Sequence, residues 1–357
     1  MKRILIAPLD WGLGHATRCI PVIREFLQRG CDVLIAGSGD SLELLRKEFP
    51  DLRFFSLPGY EPRYPTNGSM AWAMSRQLPR FIRVIFSEHR AIGKIIDSEK
   101  IDCVVSDNRY GCWSKKIPTV FITHQSNILM PKRFGWLQPI IAALNKRFIN
   151  RFSVCWVPDF PGHHSLAGDL IASGKFDVRT RLEYIGWLSR FIARENNRTE
   201  RYDVVAVFSG PEPQRTLLEN IVTPQIKSSG LTYRIVRGLP FERTLSSDES
   251  IVNFLTSGEL QASIESAKLV IARSGYSTVM DLTALAKKVL FIPTPGQTEQ
   301  EYLARRLMEK GIAFSMPQHA FHLATAIKES ENYSGFRCPD QSALLKVAID
   351  KLVADNP

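Results

Sequence analysis

Residues Leu269–Leu307 read LVIARSGYSTVMDLTALAKKVLFIPTPGQTEQEYLARRL, and the spacing of their apolar residues decides the fold. LVIA is a short, fully apolar β run that stops at Arg273-Ser274-Gly275. Ser277, Thr278 and Asp281 then open a helix with side chains suited to capping. VLFIP repeats the strand, PTPGQ makes a turn, and Glu299-Gln300-Glu301 begin a second helix that ends at Lys310-Gly311. Two strand-loop-helix units in tandem predict parallel strands, which deliver both loops to the carboxyl edge of one sheet. Gly275 lets backbone come close to a ligand. The unpaired amides at the helix start, with Arg273 and two hydroxyls beside them, form an anion site with the reach of a diphosphate.

The same alternation runs outward through the chain. RILIAP, a helix from about Ala16 to Gln28 closed by Gly30, DVLIAG, a helix over Ser41–Glu48, RFFSLP, IDCVVSD, TVFITH and SVCWVPD fill the first half. DVVAVFSG, TYRIVRG, SIVNFLT, KLVIARSG, VLFIPTPG and IAFSMP fill the second. Strands separated by helix-length segments predict an α/β chain of two Rossmann-like, doubly wound parallel-sheet domains facing a cleft. The boundaries follow from composition. An N-terminal domain spans 1–160, and a Pro- and Gly-rich connecting segment ending in charged residues spans 161–198. A C-terminal domain then spans 199–338, and a closing helix within 339–357 can pack back on the first domain.

PLDWGLGHATR follows the first strand, so Gly12, Gly14 and His15 belong at the carboxyl edge of the first sheet. A dinucleotide fingerprint needs a third glycine where this chain has Thr17, and an acid at the end of the second strand, where there is none before Asp40. NAD binding does not fit. The imidazole of His15 titrates near neutrality and can take a proton from a hydroxyl or water, although a histidine here can also simply bond a neighbouring carbonyl. Asp107, just past another strand end, can orient His15 or act as base itself, and Asp10 is an alternative partner. His124, after TVFIT, is a candidate on the acceptor side with Gly12. In the second half FSGPEPQR offers Ser209 and Gly210 to an anion, while Glu212 opposes one and Arg215 can compensate.

These residues resemble the GT-B glycosyltransferases, in particular the MurG-like family 28 enzymes and the wider UDP-glycosyltransferases. Arg273-Ser274-Gly275 is similar to the family's phosphate-contacting loop, Asp281 falls where an acid holds the nucleotide ribose, and Glu299-Gln300 matches the pair that reads donor-sugar hydroxyls. GLGHATR resembles the family's glycine-histidine motif, whose histidine contacts phosphates or serves as a base. The resemblance, with the placement of the residues themselves, points to donor-binding roles for Gly14, Ser209, Gly210, Arg273, Ser274, Gly275, Ser277, Thr278, Asp281, Gln297, Glu299 and Gln300; His15 is the catalytic candidate by resemblance and Asp107 by its place at a strand end. It implies inverting transfer of a hexosyl or N-acetylhexosaminyl group from a UDP-sugar, without metal or cofactor. A UDP-sugar hydrolase of the same fold is the alternative. This chain has Gln300-Glu301 where family 28 often carries two glutamines, and Arg273 where UDP-glucosyltransferases often carry histidine, so the donor sugar stays open.

The composition sets the remaining bounds. With 357 residues, 44% hydrophobic and 23% charged, the chain suits two soluble domains. It has no apolar run near the roughly 20 residues of a spanning helix and no signal-type start, which predicts a cytoplasmic protein, peripheral at most on the inner face of the membrane. Its six cysteines form no C-x-x-C pair, and His163-His164 stands alone, so no metal site is predicted. Of the net charge of +10, +9 lies between Tyr60 and Cys155, where fifteen Lys or Arg face six Asp or Glu. Within that part, Trp72, Arg76, Arg80, Phe81, Arg83, Ile85, Phe86, Arg90 and Lys94 interleave bases with apolar groups, as do Lys132, Arg133, Phe134, Trp136, Lys146, Arg147, Phe148 and Arg151. Basic amphipathic helices at 72–94 and 132–151 fit an anionic membrane surface or an anionic lipid-linked acceptor, while the plainer alternative is a core face with solvated bases. No nucleic-acid motif accompanies the charge.

Overall fold

A computed structural model describes residues 1–65, 70–130, 132–171, 180–192, 200–240, 242–244, 246–337 and 343–354. The chain forms two compact units, one of Met1–Pro62, Ser75–Leu188 and Asp340–Pro357, the other of Arg63–Met74 and Ser189–Pro339.

The first unit is built on seven parallel strands: β1 (Arg3–Pro8), β2 (Asp32–Gly37), β3 (Arg53–Ser56), β4 (Cys103–Asp107), β5 (Thr119–Ile122), β6 (Val154–Val157) and β7 (Arg181–Tyr184). Their order is β3-β2-β1-β4-β5-β6-β7. Helices α1 (Leu13–Gln28), α2 (Gly39–Glu48), α3 (Met70–Glu99) and α4 (Gln138–Ile149) connect them. The central strands are buried on both faces, which is why they read as unbroken apolar runs rather than alternating ones. Leu5, Ala7, Leu34, Ala36 and Val104 of the sheet pack with Ile92, Ile95 and Ile96 of α3.

The second unit has six parallel strands: β8 (Tyr202–Val207), β9 (Tyr233–Val236), β10 (Ile251–Val252), β11 (Ala267–Ala272), β12 (Val289–Phe291) and β13 (Phe314–Ser315), in the order β10-β9-β8-β11-β12-β13. Helices α5 (Gln214–Lys227), α6 (Ser257–Glu265), α7 (Tyr276–Ala284), α8 (Thr298–Glu309) and α9 (Leu323–Ser330) complete it. Thr256 and Glu259 close a reciprocal capping box on α6. Leu218, Val222 and Ile226 of α5, with Leu323 and Ala326 of α9, cover Val204, Ala206, Ile271 and Leu290 of the sheet. The last helix, α10 (Leu344–Ala354), belongs to the first unit, where Arg29 Nε donates to Asp350 (2.6 Å) and Lys2 donates to the carbonyl of Val353. Both sheets therefore carry a switch point, β1 beside β4 in one and β8 beside β11 in the other, and such points place loops where a ligand can enter.

Three local expectations change. Arg181–Tyr184, read from sequence as connecting chain, is the edge strand β7, paired in parallel with β6. Its residues are half-buried or exposed and two of the four are charged, so the apolar signal of the inner strands is missing. α1 begins at Leu13 instead of about Ala16, so Gly14 and His15 stand in the first helical turn, and the glycine that makes the turn is Gly12 at φ +85°. The basic stretch 132–151 is a 3₁₀ turn at Lys132–Leu137 followed by α4, not one helix.

Candidate functional site

At the switch point of the first sheet, β1 ends at Pro8, level with Asp107 at the end of β4, and Leu9 N donates to the carbonyl of Asp107 (3.0 Å). The chain then turns at Gly12, held where Ser41 Oγ donates to the carbonyls of Leu9 and Gly12 (both 3.0 Å), and enters α1. His15 and Arg18 lie one turn apart on that helix and meet Asp107. Arg18 Nε donates to Asp107 Oδ2 (2.6 Å) and Nη2 to Oδ1, a two-pronged pair with both partners enclosed. The same guanidinium reaches His15 Nδ1 from Nη2 (2.9 Å) and His124 Nδ1 from Nη1 (2.8 Å). His15 Nδ1 and Asp107 Oδ1 are 3.4 Å apart. His15, Asp107 and His124 thus come together around an arginine.

Burial pushes the Asp107 carboxyl up, but Arg18 and His15 together outweigh it and hold the group at about 2. Because that value lies below the unfolded one, the pair's stabilisation is present above the ordinary carboxyl range and is lost as pH falls towards about 2. Burial and the Arg18 charge hold His15 below its ordinary value, so the ring is neutral at neutral pH. Asp10 takes no part in this cluster. Its Oδ2 accepts from Tyr60 N (2.8 Å) and it lies 3.6 Å from Arg109. Arg109, fully buried, donates to the carbonyl of Pro8 (2.7 Å), Ser38 Oγ (2.7 Å) and Glu88 Oε1 (2.6 Å), and so fixes the loop that leads to His15. Gly111 lets α3 approach, since a Cβ there would lie 2.4 Å from the carbonyl of Ile85.

At the switch point of the second sheet, β8 leads to Ser209, half-buried, and Gly210, exposed at φ +106°. Arg215 is occupied by Glu212 and Glu219 (2.6 Å each). β11 leads to Arg273, whose guanidinium is enclosed among neutral oxygens. Nη1 donates to the carbonyls of Ile292 and Pro293 (3.0 Å each), and Nη2 to the carbonyl of Gln214 (2.8 Å) and to Gln318 Oε1 (2.7 Å). Burial alone draws its value down to about 9. Arg273 Nε, Gln214 Oε1 and Gln297 Oε1 are buried without a hydrogen-bond partner, a state that calls for water or a ligand.

Around Arg273 the two tandem loops are joined. Ser274 Oγ donates to the carbonyl of Gln300 (2.8 Å), and Gln300 Oε1 accepts from Thr294 N (2.8 Å), so both side chains brace the loops. Gly275 is the N-cap of α7 with space around it, and Ser277 and Thr278 are half-buried in a first turn that Gly275 does not cap with a side chain. Asp281 is enclosed by Ser189 Oγ (2.9 Å), Arg190 N (3.2 Å) and Arg190 Nε (3.0 Å). Burial raises its carboxyl in spite of Arg190. Glu299 stands half-buried in the first turn of α8. Among the described residues no cluster of three or more His, Cys, Asp or Glu is placed to hold a metal.

The profile of the glycosyltransferase family 28 C-terminal domain matches residues 240–348. An uncharacterized glycosyltransferase of Methanosarcina acetivorans is 26% identical over 88% of this chain and 86% of its own length. The UDP-N-acetylglucosamine–N-acetylmuramyl-(pentapeptide) pyrophosphoryl-undecaprenol N-acetylglucosamine transferase of Pasteurella multocida is 24% identical over 89% of this chain and 84% of its own. Among solved structures, Acinetobacter baumannii MurG superposes with a TM-score of 0.54 at 13% identity, covering 99% of this chain and all of that one. The spinosyn rhamnosyltransferase SpnG gives 0.63 at 14% identity, covering 99% of this chain and 95% of that one. The chain is a glycosyltransferase of the GT-B fold, similar to the MurG-like family 28 enzymes, whose C-terminal domain it matches over residues 240–348. In this glycosyltransferase, reasoning from sequence overlooked Arg18, whose signal was a charged residue one helical turn after His15 on a face otherwise made of Ala16, Cys19 and Ile20. It also overlooked Arg109, two residues after Asp107, and Glu88, an acid inside the basic stretch 72–94.

Proposed function

We propose that this glycosyltransferase moves a hexosyl or N-acetylhexosaminyl group, with inversion and without metal, from a UDP-sugar held on the second unit to an acceptor hydroxyl on the first. The observation that carries the reading is the Arg273 loop. A buried guanidinium paired only with neutral oxygens lies next to the start of α7, whose dipole favours an anion, and the two loops that would grip a nucleotide diphosphate are tied by Ser274 and Gln300. Ser277, Thr278, Gln297 and Glu299 remain the side chains for the nucleotide and sugar, and Asp281, paired with Arg190, the one for the ribose. The UDP-N-acetylglucosamine specificity of the Pasteurella relative supports the choice of UDP. On the first unit Asp107 is fully buried, so His15 is the member of the pair that meets the reacting groups.

The acceptor is proposed to be lipid-linked, as in that relative, and an anionic membrane surface to be the partner. Trp72, Ile82 and Phe86 of α3 are exposed beside Arg76, Arg83 and Arg90, and Trp136, Ile140 and Leu144 are exposed in the second basic stretch. Phe81 and Ile85, by contrast, belong to the core. No helix among the described residues is long and apolar enough to cross a membrane.

A thermal-shift series with UDP, GDP, TDP and their sugars tests the donor assignment, because a ligand bound only by the native state raises its stability by about 2.7 kcal/mol at a hundred times its Kd. UDP is expected to give the largest rise. No response to any nucleotide refutes the reading.

A further inference from the structure

We propose that Arg18 is a positioning residue that fixes His15 as the neutral tautomer with its hydrogen on Nε2, so that His15 faces substrate as a hydrogen-bond donor. The inference rests on His15 being the residue that meets the reacting groups, and it adds what that ring offers them.

A guanidinium has hydrogens to give and no lone pair to receive them, and it keeps its proton in proteins. Arg18 spends Nε–H and one hydrogen of Nη2 on the two oxygens of Asp107. The second hydrogen of Nη2 faces His15 Nδ1 at 2.9 Å, and Nη1 faces His124 Nδ1 at 2.8 Å. Each Nδ1 must then accept, and a neutral imidazole that accepts at Nδ1 carries its hydrogen on Nε2. The competing arrangement puts the hydrogen on Nδ1 and directs it at Asp107. That contact is longer, at 3.4 Å, and it would set the hydrogen against the N–H of Arg18. In a serine-protease triad the carboxylate accepts from Nδ1–H and leaves Nε2 as a base. Here Arg18 bonds both carboxylate and ring more closely than these approach each other, and the order of roles reverses. The groups that face His15 are Arg18, Asp107 and His124, drawn from α1, the end of β4 and the chain after β5.

Had Arg18 only neutralised a buried acid, the state of the rings would not depend on it. Long-range proton–nitrogen correlation spectra of the full chain labelled in histidine nitrogens read that state directly. At neutral pH the wild type is expected to show His15 with a bare Nδ1 and a protonated Nε2; a protonated Nδ1 overturns the proposal. Arg18→Lys keeps a positive charge beside Asp107 but has a single nitrogen to share, and is expected to shift His15 towards the Nδ1–H form. An unchanged His15 pattern in folded Arg18→Lys overturns the role of Arg18, and should that variant not fold, the wild-type spectrum decides alone. These spectra need no nucleotide, so they succeed or fail independently of the thermal-shift series with UDP.

Discussion

At the switch point of each sheet stands a buried arginine, Arg18 in the first and Arg273 in the second, and these two are compensated in opposite ways. Arg18 faces the Asp107 carboxylate through two hydrogen bonds, while Arg273 faces three backbone carbonyls and one side-chain amide and leaves Nε unpaired. The surroundings of Asp107 hold it at about 2, and burial draws Arg273 down to about 9. The first site is thus electrically closed. Its charge is consumed internally, and its remaining use is to orient two imidazoles. The second has a positive charge that nothing in its own shell neutralises, which is the condition under which an anion binds with most gain.

The sharpest way to break this contrast is Arg18→Met. It leaves Asp107 buried with no counter-charge, and removing one partner of such a pair costs about 3–5 kcal/mol. Adding Asp107→Asn to the same chain is expected to recover a large part, because the stranded charge goes with it. Urea midpoints of wild type, single and double variants measure both effects. A single-variant loss below about 1 kcal/mol, the range of exposed pairs, would mean the pair is not enclosed as described.

Arg273→Met is the matching change in the second unit, and a smaller loss is expected. It strands no charge, but leaves the carbonyls of Ile292, Pro293 and Gln214 short of a donor, for about 1–3 kcal/mol. The stabilisation by UDP should shrink with it, since the uncompensated charge is gone. If Arg273→Met costs more than Arg18→Met, the two sites are not compensated in opposite ways.

How far these sites were visible beforehand follows the same division. Strand-helix alternation is carried by long apolar runs, so the inner strands of both sheets, their carboxyl ends and the loops bearing His15, Asp107, Ser274 and Gly275 could be placed from sequence. The edge strand β7 was not legible because it buries little. The partners of polar groups were not legible either, because they come from distant strands. Arg18 meets Asp107 across 89 positions and Asp281 meets Arg190 across 91, and nothing local announces such pairs. Gln300, expected at the sugar, uses its side-chain oxygen on Thr294 N, a bond that depends on how α8 enters after the PTPGQ turn.

The smallest expected effect tests what ties the second site together. In the first unit the loops are held by charge, through Arg18 and Arg109; in the second a neutral bond, Ser274 Oγ to the Gln300 carbonyl (2.8 Å), works beside the Arg273 guanidinium and joins the loop after β11 to the first turn of α8. Ser274→Ala removes one hydroxyl from a fully buried position and leaves a carbonyl that still serves the helix ladder, so about 1 kcal/mol of stability is at stake. The informative quantity is the ratio of two losses. If the bond only stabilises the fold, UDP should raise the melting temperature of Ser274→Ala as much as that of wild type. If it sets the spacing between the α7 amides and the α8 side chains, the UDP-induced rise should fall by more than the stability itself. The second outcome is expected, because Ser274 sits directly before the cap residue Gly275, and a loop freed at that point must be reordered each time a diphosphate binds.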